Sequence, residues 1–88
     1  MLTKEAFYKE YLKSGDEKFP YMLLDRMRSD CDYVIEYGNT RYLWATDDPV
    51  AHIAYMRYLY DFVPIKPEWL TAEQIDDYEK KLFKKLNL

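Results

Sequence analysis

Glycine is almost missing from this chain. There are two, Gly15 and Gly38, and only four prolines accompany them. So little backbone freedom argues against a loop-rich fold, and no glycine-rich phosphate loop is present. A single cysteine, Cys31, excludes an internal disulfide and fits a reducing compartment. A single histidine, His52, leaves no histidine pair for a zinc site. No apolar run approaches the roughly 20 residues that span a bilayer, and no uninterrupted apolar segment follows Met1–Glu5 as a signal peptide requires. The expected location is therefore the cytoplasm, with no membrane partner. The formal charge of −3 is too small for a DNA mimic and has the wrong sign for a sequence-independent nucleic-acid binder.

Aromatic residues are plentiful: ten Tyr, four Phe and two Trp in 88 residues, enough large apolar area to build one core. Their periodicity predicts an all-α, single compact domain over residues 1–88, built from about four helices. Thr3 caps the first, which runs to about Lys13 with Phe7 and Tyr11 inward, and Ser14-Gly15-Asp16 ends it. Phe19-Pro20 opens the second, where Leu23, Met27, Cys31, Val34 and Ile35 form an apolar stripe. Arg28 and Asp32, four apart, are spaced for an ion pair worth about 0.2–0.5 kcal/mol. Gly38-Asn39 stops this helix, and a short extended aromatic link is expected over Thr40–Thr46, between helices 2 and 3.

Asp48 followed by Pro49 starts the third helix, with one stripe of Ile53, Met56, Leu59 and Tyr60 and another of Val50, Ala54 and Tyr58. Thr71 and Gln74 form a capping box for the fourth, with Leu70 and Ile75 placed for a hydrophobic staple. Its inner stripe is Ile75, Tyr78, Leu82 and Leu86. Trp44 and Trp69, each in a connection beside a strong helix start, are expected to plug gaps between helices.

Chemistry finds little support. Cys31 and His52 suggest a nucleophile and a base, but Cys31 lies within an apolar stripe, where a buried structural thiol is the commoner case. Asp48 and His52 are four apart, yet one carboxylate and one imidazole fall short of a metal set. We expect no catalytic residues, no metal and no cofactor: not an enzyme. Binding is better supported. Arginine interleaved with aromatics suits interfaces and stacking on bases. The expected partner surface is Tyr55, Arg57 and Tyr58 on the third helix with Arg41 and Tyr42 in the link.

The run Met27-Arg28-Ser29-Asp30-Cys31-Asp32-Tyr33, then Gly38-Asn39, Leu43-Trp44-Ala45-Thr46-Asp47, His52-Ile53 and Met56, resembles a large polyvalent protein-associated domain, type eleven. Pro67-Glu68-Trp69-Leu70-Thr71, Ile75 and Tyr78-Glu79 continue the likeness, which covers about residues 21–82. The resemblance implies a setting in phages, plasmids and conjugative elements and carries no catalytic residues over. It ranks the readings. A protein-binding inhibitor of a host defence nuclease, of anti-CRISPR or anti-restriction type, comes first. An accessory interaction domain for element-encoded replication or conjugative-transfer proteins is the alternative. A weak nucleic-acid-binding module, motivated by Arg26, Arg28, Arg41 and Arg57, ranks behind both.

Overall fold

The computed structural model describes residues 1–12 and 15–88. Four helices follow one another: α1 (Lys4–Tyr11), α2 (Phe19–Tyr37), α3 (Pro49–Phe62) and α4 (Ala72–Leu86). No strand occurs among the described residues. The radius of gyration, 12.5 Å, is close to the ~12 Å of a compact chain this long.

Local chemistry sets most of the ends. The Thr3 hydroxyl accepts from the Ala6 N–H, and the Asp48 carboxylate accepts from the Ala51 N–H at 3.0 Å with Pro49 in the first turn. At α4 both halves of the capping box form: Gln74 N–H donates to Thr71 Oγ1 at 3.1 Å, and Thr71 N–H donates to Gln74 Oε1 at 2.9 Å. Gly38 closes α2 at φ 79°, a left-handed conformation, and its N–H donates to Val34 O at 2.7 Å. Lys66 Nζ turns back onto the carbonyls at the end of α3, reaching Val63 O at 2.9 Å.

Helices α2, α3 and α4 pack against one another, and α1 lies on α3. The core between them holds Leu24, Met27, Cys31 and Val34 of α2, Ile53, Met56 and Leu59 of α3, and Ile75 and Leu82 of α4. Leu70 is fully buried beside Ile75, as a staple requires.

The structure departs from the sequence expectations in several places. Helix α1 stops at Tyr11, and Lys13 and Ser14, which belonged to its expected end and stop, lie outside the described residues. The link after α2 is extended at Asn39 and Leu43 but winds one 3-10 turn over Thr40–Tyr42 between them. The Asn39 side chain causes it, accepting from Arg41 N–H at 3.1 Å and capping the turn. Arg28 pairs with Asp25 at 2.6 Å, three residues away, and makes no ion pair with Asp32. Val50, expected in the second stripe of α3, is exposed, at the first turn of that helix. Trp69 does not plug a gap: it is 38 % exposed, with the Arg28 guanidinium 5.0 Å above its ring.

Candidate partner-binding surface

The five expected surface residues separate into three groups. Tyr55 is core, only 8 % exposed, stacked on Phe7 at 4.7 Å. The expectation that it is exposed is corrected by α1, which covers that side of α3. Tyr58 is half-buried in the same cluster. Both hydroxyls hold the Leu2 peptide: Leu2 N–H donates to Tyr55 Oη at 2.9 Å, and Tyr58 Oη donates to Leu2 O at 3.2 Å.

Arg57 is occupied within the fold. Its guanidinium donates to both Glu79 oxygens, at 3.0 and 3.2 Å, and to Asp76 at 2.8 Å, tying α3 to α4. These hydrogen bonds, Glu79 first, raise its pKa further. Arg26 donates to Asp30 at 3.1 Å, and Arg28 is already paired with Asp25. Three of the four arginines are thus engaged with carboxylates of the chain itself.

Arg41 and Tyr42 remain, and the fold adds two residues that the sequence reading passed over. Tyr33 and Tyr37 are one helical turn apart on α2, both exposed, and flank the buried stripe of Cys31 and Val34. Gly38 reverses the chain, and the Asn39-capped turn returns Tyr42 to within 4.7 Å of the Tyr33 ring. Tyr37 also lies 4.7 Å from Tyr33. Tyr37 is 68 % exposed and Tyr42 55 %, and Arg41 makes no ion pair among the described residues. Desolvation, then the neighbouring Tyr42 hydroxyl, raises the Tyr33 pKa. Three adjoining phenols and a guanidinium therefore meet solvent together, the residue types enriched where interfaces concentrate energy. The four-residue spacing of Tyr33 and Tyr37, out of phase with the apolar stripe, was the readable signal.

The residues considered for chemistry lie inside. Cys31 is fully buried with Sγ 3.6 Å from Met56 Sδ, and burial pushes its thiol up to about 12, away from the reactive thiolate. His52 is buried too, its Nε2 2.9 Å from Met27 O, while Nδ1 has no hydrogen-bond partner among the described residues. A carbonyl only accepts, so Nε2 carries a proton, and burial favours the neutral ring over the imidazolium. No group of three or more His, Cys, Asp or Glu suited to a metal occurs among the described residues. No helix there is long and apolar enough to cross a membrane.

Burial lowers the His52 pKa, so the unfolded chain binds its proton at higher pH than the folded one. Stability should be fully present above ~6.5, the ordinary histidine value, and should fall as pH drops below it, levelling off under the folded pKa. Denaturant midpoints between pH 5.5 and 8 should decline only on the acid side. A long-range 1H–15N spectrum should show a neutral ring protonated at Nε2 at pH 6.5; an imidazolium there would contradict the assignment.

The family model for large polyvalent protein-associated domain 11 matches residues 17–82, from the foot of α2 into α4. Comparison with curated proteins and with solved structures finds no match.

Proposed function

The chain belongs to the large polyvalent protein-associated domain 11 family, and from that premise we propose that it is a non-catalytic protein-binding module of a mobile genetic element. The observation that carries the reading is the exposed cluster of Tyr33, Tyr37, Tyr42 and Arg41. Rigid phenols with few rotatable bonds lose little entropy on docking, and an unpaired guanidinium adds directional hydrogen bonds. The engagement of Arg26, Arg28 and Arg57 by carboxylates removes most of the motive for a nucleic-acid module.

The partner to test first is a host defence nuclease of CRISPR or restriction type, inhibited by occupation of its surface. A second reading, an accessory domain acting beside replication or transfer proteins of the same element, is favoured by the family's association with large polyvalent proteins. Purified protein should be assayed against defence nucleases and against element-encoded replication and transfer proteins, reading both binding and inhibition of cleavage. Tyr37→Ala combined with Arg41→Ala should weaken the productive complex at least about tenfold while helical content and melting temperature hold. Tight binding to bare DNA or RNA that falls steeply with salt, with no protein bound, would overturn the proposal.

A further inference from the structure

Helix α1 is joined to the fold differently from the others. Helices α2, α3 and α4 each pack on the other two, whereas α1 packs chiefly on α3. With eight residues it is shorter than the about 12–15 that an isolated helix needs in water, so docking is what keeps it helical. Its one buried residue, Phe7, enters a socket of rings: Tyr55 at 4.7 Å, Tyr58 at 5.8 Å and Trp44 at 6.1 Å. The hydrogen bonds that hold the segment run to α3. The Tyr55 and Tyr58 hydroxyls grip Leu2, Tyr8 Oη donates to Tyr58 O at 2.8 Å, and Lys4 Nζ reaches Asp61 Oδ2 at 3.1 Å. The socket lies wholly within the family match at residues 17–82, and α1 lies wholly outside it.

The seated segment itself specifies the occupant. Both hydroxyl contacts on Leu2 are to main-chain atoms, which any residue supplies. Selection falls on three side-chain features. One is the ring in the socket; the second is an aromatic residue one turn on, where Tyr11 lies 4.9 Å from Trp44. The third is a cation three residues before the anchor, facing Asp61. This is helix-in-groove recognition with an aromatic anchor. The core between α2, α3 and α4 has fully buried residues of its own, Met27, Met56 and Leu82 among them, and the departure of α1 need not open it. We propose that the socket of Tyr55, Tyr58 and Trp44 is a second protein-binding site, which α1 fills in cis and a short helix of a partner protein with the same anchor pattern fills in its place. Because α1 is covalently attached it competes at high effective concentration, so only a segment that reproduces the pattern displaces it. This inference does not rest on the tyrosine cluster around Tyr37.

The probe is a fluorescein-labelled peptide with the sequence of residues 1–12, offered to the full chain and to its Phe7→Ala variant, whose own α1 lacks the anchor. A second peptide keeps Leu2, Lys4, Phe7, Tyr8 and Tyr11 and has alanine elsewhere; a third is the first with Phe7→Ala. Fluorescence anisotropy should show saturable binding of the first two to the Phe7→Ala chain, and at least about tenfold weaker binding of the third. The parent chain, its socket filled, should bind the first peptide at least about tenfold more weakly than the variant does. Equal binding by parent and variant, or no loss with the third peptide, would overturn the proposal. The unaltered chain supplies an independent reading, whatever the stability of the variant. The Phe7 and Leu12 amides, bonded to Thr3 O and Tyr8 O, should exchange together, with protection at least about a hundredfold below that of Met27 and Met56. Equal protection in α1 and in α2–α4 would mean that α1 leaves only on global unfolding, and would sink the idea. A stable dimer whose copies exchange α1 would seat a second copy in the socket and overturn the partner assignment. Tyr37→Ala with Arg41→Ala, added to the Phe7→Ala chain, should leave peptide binding unchanged, so failure here and failure of the proposed function are read separately.

Discussion

Phe7→Ala should be the most damaging single substitution in the first helix, costing about 3–5 kcal/mol, the range for truncating a buried aromatic. For a domain of this size that lowers the melting temperature by at least about 12 °C. Phe7 is fully buried and is the hub of a ring cluster: Tyr55 at 4.7 Å, Tyr11 at 5.2 Å, Tyr58 at 5.8 Å and Trp44 at 6.1 Å. Its removal leaves a cavity among rings that belong to α1, α3 and the link after α2, which the short α1 cannot collapse to fill. Tyr11→Ala makes the comparison, because that ring is 36 % exposed and touches fewer partners, so its cost should be clearly smaller. Calorimetry on the pair decides the matter. Helix α1 lies outside the family match at residues 17–82, and a Phe7→Ala melting temperature within a degree or two of the parent would mark it as a dispensable appendage.

What was legible in the sequence follows from the range of the interactions concerned. The ends of α2, α3 and α4 rest on contacts within four residues, such as Thr71 with Gln74 and Asp48 with Ala51, and residue types alone encode them. The side chosen by Tyr55 was not legible, because α3 is apolar around most of its circumference and its phase is fixed only when α1 docks on it. Arg57 looked free for a similar reason: its carboxylates are on α4, 19 and 22 residues away. Trp69 read as core because a tryptophan before a helix cap usually is, yet the Arg28 guanidinium covers it while leaving the edge open. The part of the candidate surface that the sequence reading named, Arg41 and Tyr42, lies where local turn chemistry dominates. Tyr33 and Tyr37 join it through the reversal at Gly38.

Asp30→Ala should destabilise the fold by about 3 kcal/mol, nearly as much as a core truncation, although the lost group is polar. Asp30 is only 8 % exposed and is the one buried carboxylate among the described residues. Its Oδ1 accepts from Arg26 Nε at 3.1 Å and its Oδ2 from the Trp44 N–H at 3.0 Å. Alanine strands that N–H beneath the ring cluster with no acceptor, and an unmet buried donor costs about 1–3 kcal/mol beyond the lost bond. Asparagine keeps one carbonyl oxygen for Trp44 and loses the charge, so Asp30→Asn should cost about half as much. The Arg26 side chain is 58 % exposed, and Arg26→Ala should therefore cost less than about 1 kcal/mol. Equal losses for Asn and Ala would show that the ion pair, and not the Trp44 N–H, carries the effect. The consequence reaches the candidate surface: Trp44 directly follows Leu43, whose N–H closes the turn that displays Arg41 and Tyr42. In Asp30→Ala the hydrogen-exchange protection of the Trp44 amide should drop, and capture of the partner should weaken with it, whereas Asp30→Asn, which keeps an acceptor for that N–H, should retain most of both.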